Sequence, residues 1–143
     1  MMELEGKIWK SGEFWLVEVP SVEVMTQGHS REEALKMISA AIEGLICCYY
    51  PEEVKDFEVT VQEYKKGIIG VSTSNNSLML AFSLRRQREQ SKSTVREVAE
   101  RLGSTSPNAY ARYEKGRTRI SLDQYERLLR AVNPQQNFHL RVV

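Results

Sequence analysis

Asn108 and Arg112 stand four residues apart, with Ala109 between them, in a stretch that opens on Ser106-Pro107 and closes on Gly116. The chemistry this spacing offers is hydrogen bonding to the edges of nucleic-acid bases. Side chains four apart on a helix share one face. An Asn amide suits a bidentate contact to adenine, and an Arg guanidinium suits guanine or a phosphate. Ser106, Asn108, Ala109 and Arg112 are therefore the candidate base readers. Phosphate-holding groups surround them. The hydroxyls of Ser104, Thr105 and Ser106 lie near a helix N-terminus, where backbone amides and the helix dipole favour an anion. Thr94 adds a further hydroxyl, and Lys115, Arg117 and Arg119 follow the stretch closely enough to grip a DNA backbone. Arg85, Arg86 and Arg88 offer a second cationic set on the other side.

Two short helices must position these groups. Thr94 and Glu97 form a capping box, with Val95, Val98, Ala99 and Leu102 at helical spacing behind it and Gly103 where a left-handed residue ends a helix. Ser106 as N-cap and Pro107 in the first turn open the second helix, whose inward face is Tyr110 and Tyr113. Two helices around a glycine turn are the helix-turn-helix pattern, which lays its second helix in a DNA major groove. Before it, Leu78–Gln90 predicts a helix from about Ala81, with Leu78–Phe82 also compatible with extended chain. After it, Ser121 and Gln124 make another capping box, and the helix Leu122–Val132 is expected to bury Leu122, Tyr125, Leu128, Leu129 and Val132. Phe138–Val143 is either a strand exchanged between subunits or a strand or tail folded back on its own domain. One such unit reads few base pairs, so a homodimer, or a tetramer built from it, is expected on double-stranded operator DNA.

The rest of the chain differs in charge. Residues 1–77 hold 7 basic against 13 acidic side chains, a net −6, and residues 78–143 hold 13 against 6, a net +7. An acidic half joined to a basic half suggests two domains with different partners. Met2–Lys10 and Phe14–Val19 read as a hairpin, Ser21–Gln27 as an extended connector, and Phe57–Tyr64 and Ile68–Ser72 as strands. Ser30 and Glu33 cap a helix over Arg31–Cys47 with an apolar stripe from Ala34 to Ile46. The fold class is therefore α+β: an N-terminal ββαβ unit, with a last short strand, over residues 1–72, a linker at 73–77, and an all-α helix-turn-helix unit over 78–143.

Several functions find no residues to carry them. No Asp precedes Asp56, so strand-end aspartates for two-metal cleavage cannot assemble. His29 has no metal-ligand partner at useful spacing. Cys47 and Cys48 are adjacent, which suits neither a disulfide nor a metal site, and read as small buried hydrophobes at a helix end. The isolated glycines build no phosphate loop. No catalytic activity, cofactor or metal is expected. No apolar run reaches the ~20 residues of a membrane span, and the acidic start is unlike a signal peptide, so a cytoplasmic protein without membrane contact is expected.

Both halves resemble one family. FWLVEVP (14–20) followed by TQGHSREEA (26–34) is similar to the HicB domain, over about residues 1–46. REVAERLG (96–103) followed by YARYEKG (110–116) resembles the Cro/CI-like (XRE) helix-turn-helix of one branch of HicB-family antitoxins. The resemblance implies a partial RNase H-like fold without catalysis in the N-terminal half, a HicA-like mRNA-cleaving toxin as its partner, and repression of the chain's own operon by the C-terminal half. The rival reading is a stand-alone regulator whose N-terminal half binds a ligand or a second copy.

Overall fold

Alternating side chains in the first twenty residues build a hairpin. β1 (Leu4–Ser11) and β2 (Phe14–Val19) pair antiparallel, with Ile8 opposite Val17 and Trp9 opposite Leu16. The connector expected at Ser21–Gln27 is instead a further strand. Pro20–Val22 form a single 3-10 turn, and Glu23 adopts a left-handed backbone, φ 52°. This reverses the chain, so β3 (Val24–Gly28) returns along β2. The computed structural model describes residues 2–143, and it separates into two compact units, Met1–Asn76 and Ser77–Val143.

In the N-terminal unit α1 (Arg31–Tyr49) follows β3. Ser30 Oγ accepts from the Glu33 amide at 3.1 Å. The Glu33 carboxylate reaches the His29 amide, one residue further back than a capping box requires. Ala34, Ile38, Ile42 and Ile46 recur every four residues and are fully buried where α1 packs against β2 and β3. Each buried isoleucine contributes about 1.5–3 kcal/mol. β4 (Val59–Glu63) and β5 (Ile68–Thr73) complete a five-stranded antiparallel sheet in the order β3-β2-β1-β5-β4. Leu4 faces Val71 and Gly6 faces Ile69 across the β1–β5 seam. Arg31 links the start of α1 to the sheet edge through Glu63 at 2.6 Å, and its guanidinium lies 5.4 Å from the Trp15 ring centroid.

Two expectations need correction. Cys47 is half-buried and Cys48 exposed. They follow Ile46 by one and two residues, which turns them off the buried stripe by roughly 100° and 200°. The polar stretch at 73–77 is not an open linker. Thr73 ends β5, buried, and a helix begins at Asn76. Thr73 Oγ1 also donates to the Asn75 carbonyl at 2.9 Å, closing a local turn.

The C-terminal unit begins with α2 (Asn76–Gln90), five residues earlier than the pattern predicts. Leu78–Leu84 are all buried, which hides the amphipathic period. Leu, Met, Ala and Phe are not β-branched, and Leu, Met and Ala are among the better helix formers. Three further helices follow: α3 (Val95–Arg101), α4 (Asn108–Ala111) continued by a 3-10 turn (Arg112–Lys115), and α5 (Leu122–Val132). Polar side chains tie α2 to α5. Ser83 and Tyr125 share a 2.7 Å hydroxyl contact, and the Asn133 amide donates to Gln87 at 2.9 Å with both residues buried. Ser91 Oγ donates to the Val132 carbonyl. Burial pushes the Tyr125 phenol up to about 12, against the opposing effect of the Ser83 contact. Leu122, expected in the core, is 59% exposed. Helical side chains lean toward the N-terminus, so at the first position of α5 it overhangs the preceding loop. Phe138–Val143 forms no strand with its own chain. No helix among the described residues is long and apolar enough to cross a membrane.

Candidate nucleic-acid interface

The presumed reading residues sit on a frame fixed at both ends by capping chemistry. At the start of α3, Thr94 Oγ1 accepts from the Glu97 amide at 3.1 Å, and the Thr94 amide donates to Glu97 at 3.3 Å. The Thr94 oxygen is thereby engaged in the cap, although the residue is exposed. Capping side chains of this kind contribute about 1 kcal/mol. At the end of α3, the Ser104 amide donates to the Ala99 carbonyl and the Gly103 amide to the Glu100 carbonyl, both at 2.9 Å. These are the two bonds of a Schellman motif, and Gly103 occupies its left-handed position at φ 84°.

The turn that follows departs from expectation in one respect. Ser106 does not cap α4 with its side chain. Instead Ser104 Oγ accepts from the Ser106 amide at 3.1 Å and folds the turn. Pro107 already has helical angles, φ −57° and ψ −29°, and its carbonyl accepts from Ala111 at 3.0 Å. The first-turn proline thus starts the helix by fixing φ, without a hydroxyl cap.

From this start the segment runs as one α-helical turn and one 3-10 turn to Gly116, φ 74°. Tyr110 and Tyr113 are buried, as the inward face requires. Ser106, Asn108 and Arg112 are exposed, and Ala109 is half-buried between them. Arg112 is drawn back over its neighbour. Its Cζ lies 4.8 Å from the Tyr113 ring centroid, and its Nη2 donates to the Tyr113 hydroxyl at 2.9 Å. Of the phosphate candidates, Thr105, Lys115, Arg117 and Arg119 are exposed, and Ser104 is half-buried by its role in the turn.

The second cationic set is not a free grip. Arg88 is an internal strut. Its Nε and Nη2 donate to the two Glu114 oxygens at 2.7 and 2.9 Å, and its Nη1 donates to the Ser93 carbonyl at 3.1 Å. The two side chains are 17% and 10% exposed. Glu114, as hydrogen-bond acceptor, holds the Arg88 guanidinium above its ordinary range despite the opposing effect of burial. Arg85 pairs along α2 with Glu89 at 3.0 Å. Sequence reasoning missed the Arg88–Glu114 clamp. The available signal was Glu114 itself, a lone acid inside the basic run from Arg112 to Arg119. The clamp fixes the 3-10 end of the presumed reading segment to α2.

Residues 80–136 match a protein-family model described as a helix-turn-helix domain. The C-terminal unit is a helix-turn-helix domain. The match takes in α3, the Gly103 turn and the segment from Asn108 to Lys115, together with most of α2 and all of α5 that brace them. In this domain type the second helix enters the major groove with its N-terminal residues toward the bases. Asn108 and Ala109 are the N-terminal residues of the second helix here. No curated protein matches the chain. Among the described residues no three His, Cys, Asp or Glu side chains gather to hold a metal ion.

Proposed function

We propose that the chain is an antitoxin and autorepressor. The helix-turn-helix domain binds double-stranded operator DNA as a homodimer, or as a tetramer built from dimers, and represses the chain's own operon. The N-terminal unit, a HicB-like domain with a partial RNase H-like fold, acts as a binding module and not as an enzyme. It neutralises a HicA-like mRNA-cleaving toxin by covering it. Both activities belong in the cytoplasm, where the operon and the mRNA are found.

The observation that carries the reading is the helix-turn-helix match on one unit of a chain whose two units differ so strongly in charge. A basic domain suits phosphate, and an acidic one suits a basic protein. The sequence motif from FWLVEVP to TQGHSREEA supports the family of the N-terminal unit. The same match also fits a stand-alone regulator whose N-terminal unit binds a ligand or a second copy.

Co-expression with the product of a neighbouring reading frame separates these readings. The antitoxin reading expects a small basic protein to co-purify and its ribonuclease activity to be suppressed. Operator binding with no toxin partner leaves the stand-alone regulator. Failure to bind any DNA upstream of the gene refutes both.

A further inference from the structure

The last six residues, Phe138-His139-Leu140-Arg141-Val142-Val143, alternate apolar and basic side chains over their first five positions, as a half-buried strand does. They form no ladder with their own chain. Leu140 is 79% exposed, Val142 98% and Val143 62%. Phe82, Val98, Tyr110 and Val132 in the core of the unit are fully buried, and these three side chains are not part of it. A segment patterned for burial, outside this core, lacks a partner strand.

We infer that this partner is the same segment of a second copy, paired antiparallel about a two-fold axis through Leu140. The register follows from side-chain parity. Registers that centre the axis between two residues put the apolar rows of the two copies on opposite faces, because a one-residue slip inverts a strand. Centring on Arg141 sets two arginines directly opposite, which is unfavourable. Centring on His139 leaves Val142 without an apolar partner. Centring on Leu140 places Phe138 against Val142 in both directions and Leu140 against itself. The six apolar side chains then form one row, and His139 faces Arg141.

Such a closed, isologous contact is self-limiting. It would join two helix-turn-helix domains with the symmetry a palindromic operator demands. The inference deepens the homodimer of the proposed function and rests on that reading, but its test needs no DNA.

In full-length protein carrying Cys47→Ser and Cys48→Ser, Leu140→Cys should cross-link to covalent dimer under mild oxidation. His139→Cys alone and Arg141→Cys alone should cross-link at least tenfold more slowly, and a mixture of the two should form the heterodimer. Equal rates at all three positions, or no cross-link at Leu140→Cys, overturn the register. In the otherwise unchanged chain, Leu140→Lys should raise the dimer dissociation constant at least 100-fold by sedimentation while the circular dichroism spectrum is retained. A Leu140→Lys chain that stays as dimeric as the parent overturns the pairing itself. Intact pairing and cross-linking with no operator bound would uphold this inference and sink only the regulatory reading.

Discussion

Glu114→Gln tests whether the Arg88 clamp holds the presumed reading segment. The substitution keeps one acceptor for the guanidinium and removes the charge. Opposite charges about 4 Å apart attract by ~4 kcal/mol at an effective dielectric constant near 20. Breaking a fully buried pair by removing one partner costs about 3–5 kcal/mol. Here the side chains keep 17% and 10% of their exposure, and glutamine restores one hydrogen bond. The expected loss is therefore roughly 2–3 kcal/mol, below the full penalty for breaking a buried pair. For a unit of this size, 1 kcal/mol moves the midpoint by about 4–8 °C, so the domain should melt on the order of 10–20 °C lower.

The assay has an internal control. Both tryptophans, Trp9 and Trp15, lie in the N-terminal unit. Tryptophan fluorescence should therefore report an unchanged transition while far-UV circular dichroism shows the helix-turn-helix domain unfolding earlier. The double variant Arg88→Met/Glu114→Leu should recover most of the loss, because an apolar pair of similar volume leaves no charge stranded. A Glu114→Gln loss under ~0.5 kcal/mol, the level of an exposed pair, would refute the clamp.

Three further outcomes follow from single contacts. Asn108→Ala should weaken operator binding by about 1–3 kcal/mol if the amide makes a bidentate base contact, with the melting midpoint unchanged because the residue is exposed; gel-shift titration measures it, and unaltered affinity removes Asn108 from the reading set. Asn133→Leu should cost about 1–3 kcal/mol in urea unfolding by taking the Asn133 donor from the buried Gln87 Oε1; a neutral result would mean that this oxygen gains another donor. Tyr125 has its folded-state pKa raised from 10.0 to about 12. Its contribution is therefore complete below pH 10 and is lost as the pH rises from 10 toward 12, because the unfolded chain releases the proton first. The loss should be roughly 2 kcal/mol, and Tyr125→Phe should abolish that part of the alkaline slope.

The sequence disclosed most where local chemistry decides local structure. The Thr94 and Ser121 capping boxes both form, and Gly103 and Gly116 take the left-handed angles that their places in the pattern demand. β2 has the boundaries its alternation predicts. What the pattern hid was set by tertiary context. β3 depends on a left-handed Glu23, which no propensity signals. α2 is buried through Leu78–Leu84, so its helical period vanishes, and the hydrogen bonds from Ser83, Gln87 and the following Ser91 to α5 and its C-cap carry no signal in the pattern. The candidate site was legible as a set of residue types. Which of the arginines face outward was not, because Arg88 and Glu114 meet across 26 residues of chain.

Those commitments change the electrostatics expected at the DNA. The +7 of the C-terminal half suggests many phosphate contacts, but much of its basic charge is engaged within the domain. Arg88 is spent on Glu114 and Arg112 lies over Tyr113. Arg101 donates to Ser93 Oγ and to the Ala131 carbonyl, both at 2.8 Å, and Arg127 donates to the Leu102 carbonyl. The cations proposed to grip phosphate are Lys115, Arg117 and Arg119, all exposed and all following the reading segment in the chain. Three cations per copy give about six neutralised phosphates in a dimer, and log K should fall with log salt with a slope of about −5. Lys115→Ala removes one contact per copy, so the slope should flatten by about 2 while sequence preference is kept. Neutral hydroxyls such as Thr105 release no counterions, and Thr105→Ala should leave the slope unchanged. A parent slope near −2 to −3 would mean that one copy binds alone. A slope unmoved by Lys115→Ala would place the phosphate grip elsewhere on the domain.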